Sequence, residues 1–263
     1  MKGRIVVIAN QKGGVGKTTT AINLAACLAA AEQKTLLIDI DPQANACSGI
    51  GFRRNGGGVS NQDNIYYTLI GKKKIKDVVA KTNIKWLSIV PSDISLIGAE
   101  IELVSVIARE TRLKEALTEI KEEFDYIIVD CPPSLGLLTI NSLTAADSVL
   151  IPVQCEYYAL EGISQLINTV NLVKRSLNTN LALEGILLTM YDKRTNLSIQ
   201  VEEEVKKHFK QKVFKTIIPR NIKLSEAPSH GKPIIMYDIR SKGSEAYLQL
   251  AKEVILNGKK SLG

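Results

Sequence analysis

Two lysines and three glycines stand close together in residues 10–19, Asn-Gln-Lys-Gly-Gly-Val-Gly-Lys-Thr-Thr. Glycines permit positive φ angles and let backbone N–H groups approach phosphate oxygens, while a following helix directs its positive dipole end at the same anion. The usual phosphate loop would place its first glycine at position 11, where this chain has Gln11. A second lysine, Lys12, precedes the compressed glycines, which are Gly13, Gly14 and Gly16.

The end of this run favours a nucleoside triphosphate with its magnesium ion. Lys17 neutralises phosphate charge, and the Thr18 hydroxyl is a hard, neutral ligand that suits Mg²⁺ shared with phosphates. The alternative is a helix start that uses glycine only for turning. The flanks support the phosphate loop, because residues 4–9 predict a buried strand and residues 18–31, rich in Ala and Leu, predict a helix.

An acidic residue ends another apolar run. Asp130 follows Tyr-Ile-Ile-Val at residues 126–129, the arrangement of a Walker B carboxylate that organises Mg²⁺ from outside the ion's direct ligands, beside Thr18. The next residues, Cys-Pro-Pro-Ser at 131–134, stiffen the exit and predict a switch that senses the γ-phosphate. A helix cap is the alternative role for an Asp at this point.

Two further carboxylates close the second apolar run. Asp39 and Asp41 are separated by one residue, so an extended chain places both on the same side, and Pro42 then turns the chain away from the strand. We predict that one of the two orients the attacking water. A turn built from Asp-Pro-Gln is the alternative.

Length and composition predict one large α/β domain over residues 1–263, since no Pro- or Ser-rich linker divides the chain. The net charge of +7 is a weak indication of a polyanionic partner. We expect no signal peptide and no membrane span, because no apolar stretch reaches about 20 residues. A reduced, cytosolic protein is expected from four scattered cysteines, Cys27, Cys47, Cys131 and Cys155.

Strand-like runs alternate with helical patterns along the chain. This order predicts a single doubly wound, mostly parallel sheet flanked by helices, with ligands at the carboxyl ends of the strands. Residues 49–65, which include Gly56-Gly-Gly58, predict a flexible loop. The predicted strands are residues 5–9, 35–40, 86–90, 126–129, 149–153, 185–190 and 213–218.

Positive charge is concentrated late in the chain. Between Lys193 and Lys232 there are ten Lys or Arg residues and four acidic ones. Most of these lysines fit a solvated helix face with i,i+4 pairs to glutamates at 202–204. Three others stand in loop-like stretches after strands, where their charge is available to a polyanionic partner: Arg194, Arg220 and Lys223.

Four motifs together resemble the ParA/Soj family of chromosome-partitioning ATPases, which are P-loop NTPases of the deviant Walker A type. They cover nearly the whole chain, and residues 153–162 also match the family's pattern. The motifs are Lys12-Gly-Gly-Val-Gly-Lys-Thr-Thr, Asp39-Ile-Asp-Pro-Gln-Ala-Asn, Ile128-Val-Asp-Cys-Pro-Pro-Ser and Ile218-Pro-Arg-Asn-Ile-Lys-Leu-Ser-Glu-Ala-Pro.

The resemblance implies that Lys12 crosses a nucleotide-sandwich dimer to the partner's phosphates, while Lys17 serves the phosphates of its own subunit. Asp41 is implied as the catalytic carboxylate. Gly13 would lie at the tight dimer contact, and Arg194 and Lys223 are implied to bind DNA. The implied ATP contacts are Lys12, Gly13, Gly14, Val15, Gly16, Lys17, Thr18 and Thr19, with Thr18 on Mg²⁺ and the adenine near Met190, Asp192, Pro219 and Asn221.

A second lysine also has a chemical reason. Phosphoryl transfer spreads negative charge over the γ-oxygens, so a cation that arrives only on assembly couples hydrolysis to dimerisation. Together with this chemistry, the resemblance implies a cytoplasmic, nucleoid-associated ATPase whose ATP-bound homodimer binds nonspecific double-stranded DNA. The DNA contacts would be Arg194, Arg220 and Lys223, which would bind the duplex backbone without reading its sequence. The family implies that a ParB/Spo0J-type centromere-binding partner stimulates its otherwise slow hydrolysis.

Two alternatives remain open at this point. One is a nucleotide-dependent regulatory switch that acts on replication initiation or transcription. The other is a MinD-like positioning ATPase on a membrane, although Gly258 stops the last helix and the few residues after it are too short for an anchor. A cluster-carrying redox protein is disfavoured, because no second cysteine accompanies Cys131 at a ligating spacing.

Overall fold

Runs of Val, Ile and Leu form the strands of one seven-stranded sheet, as expected where both faces of a sheet are covered. The structure is a computed structural model that describes residues 3–52, 60, 62–156 and 159–260. The strands are β1 (Arg4–Ile8), β2 (Thr35–Asp39), β3 (Ala80–Lys81), β4 (Leu87–Val90), β5 (Tyr126–Asp130), β6 (Ser148–Gln154) and β7 (Ala182–Thr189).

The strand order is β3-β4-β2-β5-β1-β6-β7. All neighbouring pairs are parallel except β3 with β4, which is antiparallel. The register places Asp130 of β5 opposite Asp39 of β2 and Ile8 of β1. The segments that follow β1, β2 and β5, which contain the predicted site residues, therefore lie side by side at the carboxyl edge of the sheet.

Helices cover both faces of the sheet. The described α-helices are α1 (Lys17–Ala30), α2 (Asn45–Gly49), α3 (Ile65–Leu69), α4 (Leu96–Glu102), α5 (Arg112–Thr118), α6 (Leu137–Ala145), α7 (Ala159–Ser176), α8 (Asn196–Phe209), α9 (Ile222–Glu226), α10 (Ile234–Tyr237) and α11 (Lys242–Lys260). Ile5 and Val7 of β1 pack into the core under α3 to α8, while Val6 and Ile8 pack under α1, α2 and α9 to α11. This alternation confirms the doubly wound α/β prediction.

The Ala- and Leu-rich helix after the phosphate loop is almost wholly buried. It begins at Lys17 and ends at Ala30, one residue earlier at each end than predicted. Small alanines let α1 lie close against the sheet, and α11 packs against its other side. The phosphate loop is therefore attached to a helix held on two sides.

The predicted strand at residues 213–218 is wrong. The segment makes one isolated parallel bridge, from Val213 to Ile186 of β7, and Phe214 N–H still donates to the Ile186 carbonyl. The N–H groups of Lys215 and Thr216 instead donate to the Glu253 carboxylate on α11, at 2.8 and 3.1 Å. Because those donors are taken by a helix side chain, a regular ladder does not form.

The region predicted as a loop at residues 49–65 begins as α2 ends and finishes at the first residue of α3. Its central glycines, Gly56-Gly-Gly58, lie outside the described residues. In the part of the chain that the structure describes, no helix combines the length and apolar composition needed to cross a membrane.

Candidate nucleotide site

The phosphate loop connects the end of β1 to the start of α1. Gly14 and Gly16 have φ angles of 74° and 86°, which other residues adopt only with strain. Gly16 directly precedes α1, so the free N–H groups and positive end of that helix face the loop. A Cβ at Gly13 would meet no atom within 4 Å, and its φ lies outside the left-handed region. Packing within this chain therefore does not require glycine at position 13.

The Lys17 side chain is buried against the loop. Its Nζ donates a hydrogen bond of 2.9 Å to the carbonyl oxygen of Lys12. Burial lowers the pKa of Lys17, and the Asp130 carboxylate acts in the opposite direction. A buried ammonium gains strongly from an anionic ligand, so the site favours phosphate binding here.

Asp130 ends β5 near the Lys17 ammonium, which favours the charged form of its carboxyl group. It is fully buried, and neither of its carboxylate oxygens has a hydrogen-bond partner among the described residues. Burial first, and then Asp39, raises the pKa of Asp130 well above its usual range. The Thr18 hydroxyl lies close enough to oppose that rise, although not in hydrogen-bond geometry.

This orphaned carboxylate fits a magnesium ion. The described residues contain no group of three or more His, Cys, Asp or Glu able to hold a metal by themselves. Mg²⁺ usually takes one or two protein oxygens and completes its shell with water and substrate phosphates. In such a shared site Thr18 would supply the direct hydroxyl ligand, and the Asp130 carboxylate would organise the ion from outside its direct ligands.

Asp39 and Asp41 have different surroundings. Asp39 is fully buried and accepts hydrogen bonds from the Asp41 N–H at 3.1 Å, the Cys47 N–H at 3.0 Å and the Cys47 thiol at 3.2 Å. Burial raises the pKa of Asp39 to about 6, against the lowering effect of the Cys47 hydrogen bonds. Asp39 therefore fixes the turn after β2 and the start of α2.

Asp41 lies at the phosphate cavity. It accepts a hydrogen bond of 2.9 Å from the Gln43 N–H, and its own carbonyl oxygen accepts one of 2.6 Å from the Ser92 hydroxyl. Of the two predicted carboxylates, only Asp41 lines the cavity of about 360 Å³. The other lining residues are Gly13, Gly14, Gly16, Lys17, Thr18, Thr19, Gln43, Asn45, Pro133 and Met190.

A second cavity, of about 490 Å³, adjoins the first and shares Gly16, Thr19 and Met190 with it. Of the four residues predicted near the adenine, Met190, Pro219 and Asn221 line this cavity and Asp192 does not. The other lining residues include apolar side chains that suit a flat heterocyclic base. Met190 has a φ of 50°. A parallel bridge between Tyr191 and Pro219 joins the two segments that form the wall.

The Lys12 side chain is directed elsewhere. Its Nζ forms an ion pair with the carboxylate of Glu156, just after β6, and the side chain is 40% exposed. The Lys12 N–H donates to the Asn10 side chain at 3.0 Å, and the Asn10 amide donates to the Pro152 carbonyl at 2.7 Å. Within one chain, therefore, Lys17 is the lysine that lines the phosphate cavity and Lys12 pairs outside it.

Arg194, Arg220 and Lys223, which we call the basic triplet, are exposed and lie in or near the two segments of the base-cavity wall. Lys223 stands between the lining residues Ile222 and Leu224, and Arg194 follows the lining residue Met190 by four positions. Arg220 lines that cavity and donates its N–H to the Tyr191 carbonyl at 3.0 Å. Lys223 lies in the first turn of α9, which Asn221 caps through a hydrogen bond from the Lys223 N–H. The base cavity and the predicted DNA-binding residues thus share the same backbone.

Comparison with known proteins places these features in a family. Residues 3–183 match the model of a family described as an AAA domain. The chain is 61% identical to the sporulation initiation inhibitor protein Soj of Bacillus subtilis, over 97% of this chain and 100% of that protein. It is 58% identical to the chromosome partitioning protein ParA of Myxococcus xanthus, over 96% of this chain and 88% of that protein. The chain belongs to the Soj/ParA family of chromosome-partitioning ATPases.

A solved structure extends the comparison to bound ligands. Cobyrinic acid a,c-diamide synthase from Mycobacterium smegmatis, solved with ADP and magnesium, is 34% identical to this chain with a TM-score of 0.85, covering 99% of this chain and 97% of that one. The predicted family and the predicted deviant P-loop fold are therefore confirmed. The roles assigned to individual residues stay predictions.

The structure brings most of the predicted site residues of this ParA-type chain together. Of the predicted phosphate-loop and magnesium residues, three line neither cavity: the Lys12 ammonium lies at Glu156, while Val15 and Asp130 are buried. The phosphate cavity is also lined by three residues that were not predicted as site residues: Gln43, Asn45 and Pro133. All three belong to the motifs that carry the family resemblance, so their polarity or position in those motifs could have indicated a role. Tyr247 of α11 lines the base cavity from a distant part of the chain, with no signal of its own in the sequence.

Proposed function

We propose that this chain is an ATPase that partitions chromosomal or plasmid DNA, with ATP and Mg²⁺ as cofactors. The observation that carries the proposal is the shared wall: the segments around Met190 and Pro219 line the base cavity and also carry the basic triplet. A nucleotide in that cavity presses on the same backbone that presents positive charge to solvent. Nucleotide-dependent binding of a polyanion follows from that arrangement.

In the proposed mechanism, the loop N–H groups and Lys17 hold the phosphates and Thr18 holds Mg²⁺. The metal, when bound, neutralises charge on the transferred phosphate. Asp41 lies in the phosphate cavity and orients the attacking water. Asp130 would accept hydrogen bonds from water molecules around that metal, which would satisfy its two unpaired oxygens.

Dimerisation is proposed to complete the site. The phosphate cavity of one chain contains the Lys17 ammonium, and Lys12 is exposed at the same loop. If a second subunit closes face to face, each Lys12 leaves Glu156 and reaches the other subunit's phosphates. The open space at Gly13 supports this arrangement, because a glycine that its own fold does not require is explained by a close approach from outside.

The dimer binds DNA in this proposal, and hydrolysis releases it. The basic triplet contacts phosphates without reading bases, and two subunits add their contacts. Hydrolysis opens the sandwich, and the monomer leaves the nucleoid for the cytoplasm. A ParB/Spo0J-type partner accelerates the slow basal turnover. The family membership supports this cycle, since the Myxococcus xanthus relative is a chromosome partitioning protein.

Size-exclusion chromatography with light scattering tests the assembly step. The wild type and Lys12→Ala are compared with and without ATP and a duplex of random sequence. We expect an ATP-dependent wild-type dimer that co-elutes with DNA, and a Lys12→Ala protein that binds nucleotide but stays monomeric. A wild type that is monomeric under every condition would refute the mechanism.

The DNA surface has a matched control. Lys223→Ala removes a member of the basic triplet, while Lys207→Ala removes another exposed lysine, on the solvated face of α8. We expect Lys223→Ala to weaken binding of the ATP-bound protein and to reduce the slope of log K against log salt by about 1 for each lost phosphate contact. Equal effects of the two substitutions would contradict the assignment of the basic triplet as the DNA-binding surface.

A regulatory role is a second candidate, favoured by the Bacillus subtilis relative, which is a sporulation initiation inhibitor. Asp41→Ala separates the two candidates in cells. A switch would remain locked in its ATP dimer with a fixed regulatory output, whereas a partition protein would lose dynamic segregation. Normal ATP turnover by Asp41→Ala would refute the catalytic assignment itself.

A further inference from the structure

Two members of the basic triplet are already paired with acidic side chains of their own chain. Arg194 donates from Nε and from a terminal nitrogen to the two carboxylate oxygens of Asp192, at 2.9 and 2.7 Å. A guanidinium group binds a phosphate with the same bidentate geometry. Asp192 therefore occupies the donors that DNA would use.

Asp192 is held in that position by the backbone. Its Oδ1 also accepts a hydrogen bond of 3.0 Å from the Arg194 N–H, and its carbonyl oxygen accepts bonds from the Thr195 N–H and hydroxyl at 3.0 and 2.9 Å. The hydrogen bonds from Arg194 hold the pKa of Asp192 below its usual range, so this carboxyl is a permanent anion at neutral pH. The pair is fixed by the turn between β7 and α8.

Lys223 is paired in the same way on the other segment. Its Nζ donates to the Glu226 carboxylate at 2.9 Å and lies 5.6 Å from the centre of the Tyr237 ring. The Tyr237 hydroxyl donates to the same Glu226 oxygen at 2.9 Å, so Glu226 is anchored by α10 as well as by α9. In contrast, Arg220 forms no ion pair with any residue in the part of the chain that the structure describes.

We propose that Asp192 and Glu226 are the counter-ions that set the affinity of the DNA surface: each holds a phosphate-binding side chain in the free protein and must release it before that side chain binds a DNA phosphate. Among the described residues Arg220 forms no such pair, although the Asp192 carboxylate lies near enough to attract its guanidinium group. This inference rests on the proposed DNA binding and adds two affinity-determining residues to it. It explains how a basic surface can bind DNA weakly enough to be released in each cycle.

The expected size follows from exposed ion pairs, whose strength corresponds to a factor of about two to five in an equilibrium constant. Asp192→Asn and Glu226→Gln should each tighten binding of the ATP-analogue-bound protein to a random-sequence duplex by about two- to fivefold. Fluorescence anisotropy measures the change at a fixed salt concentration. The matched control is Glu203→Gln, which removes an exposed acidic charge on α8 that forms no ion pair with a described residue.

A double-mutant cycle distinguishes release of a paired side chain from a general change of charge. If Asp192 acts by holding Arg194, Asp192→Asn tightens DNA binding in the wild type but has little effect in an Arg194→Ala background. The same holds for Glu226→Gln with and without Lys223→Ala. An equal gain in both backgrounds, or a gain no larger than that of Glu203→Gln, would overturn the inference.

The failures of the inference and of the proposed function are distinguishable. If Arg220→Ala weakens DNA binding while the two amide variants bind as the wild type does, only the counter-ion inference is wrong. If the ATP-bound wild type does not bind DNA at any salt concentration, both are wrong. Thermal unfolding of each variant verifies that the compared proteins are folded.

Discussion

The Asp130 carboxyl group has no hydrogen-bond partner within the described part of the chain and should lower the stability of the nucleotide-free protein. Replacing this residue tests that expectation. Asp39, in register with it across β2 and β5, has three hydrogen-bond donors and still has a pKa of about 6. That rise of roughly two units corresponds to about 3 kcal/mol of disfavoured ionisation. Asp130 is buried as completely and has no donor in hydrogen-bond geometry.

Asp130→Asn should therefore stabilise the nucleotide-free protein while it weakens magnesium nucleotide binding. The amide keeps the shape of the side chain and removes the charge, but an amide in this pocket still lacks partners. We expect a net gain of about 1–3 kcal/mol in the free energy of unfolding. For a chain of this size that corresponds to a rise of roughly 2–10 °C in Tm. Affinity for Mg²⁺ with ATP should fall by about 10–100-fold.

Differential scanning fluorimetry with and without Mg²⁺ and ATP measures both effects on one sample. Asp147→Asn is the control, because the Asp147 carboxylate accepts hydrogen bonds from the Ile5 N–H at 2.8 Å and from Lys121 at 2.9 Å. Neutralising that satisfied carboxylate should lower Tm. A nucleotide-free Asp130→Asn protein that melts below the wild type, or that keeps wild-type Mg²⁺ affinity, would refute the reasoning.

The dependence on pH follows with a definite sign. Because the pKa values of Asp39 and Asp130 are raised in the folded state, folding favours proton uptake at both carboxyls. Their contribution to stability therefore increases as the pH falls through the folded pKa, about 6 for Asp39, toward the unfolded value of about 3.9. On going from pH 7 to pH 5, the nucleotide-free Asp130→Asn protein should therefore gain less stability than the nucleotide-free wild type.

Three further predictions use single contacts. Gly16→Ala should lower the free energy of unfolding by about 1–2 kcal/mol because of the positive φ at this position, as chemical unfolding would show. Gly13→Ala should leave Tm unchanged but impair ATP-dependent dimerisation, as light scattering would show. Glu156→Gln should free Lys12 and favour the ATP dimer by about two- to fivefold in sedimentation velocity, and a weaker dimer would contradict this. Glu253→Gln should lower the unfolding free energy by about 1–3 kcal/mol in urea titrations, since the amide keeps one acceptor oxygen and replaces the other by a donor that faces an N–H group. Unchanged stability would contradict that role.

Local sequence was sufficient for the parts of the site that backbone geometry determines. Glycine spacing, a β-branched strand before it and an Ala-rich helix after it predicted the phosphate loop correctly, because all three act within a few residues. The carboxyl edge of the sheet was predictable for the same reason, since Asp39 and Asp130 each end an apolar run. In these cases the local preference and the final structure agree.

The features that were not predicted depend on contacts between distant residues. The strand expected at residues 213–218 has suitable composition, but Glu253, far along the chain, takes two of its N–H groups. The pairing of Lys12 with Glu156 and of Lys223 with the Tyr237-anchored Glu226 likewise requires knowledge of which exposed side chains meet. No periodicity within one segment contains that information.

These contacts suggest one physical theme for the proposed cycle. Lys12 is paired with Glu156, Arg194 with Asp192 and Lys223 with Glu226, so three of the cations that the cycle would use on phosphates are neutralised within the resting chain. Each pair lies at the surface and is weak enough to exchange for a phosphate. Asp130 has the opposite condition: it is a buried carboxyl group without a hydrogen-bond partner among the described residues, and a bound cation would favour its charged form. Nucleotide and magnesium would thus be drawn to the interior of the site first, and the surface cations would be released only when a second subunit or DNA offers a stronger anion.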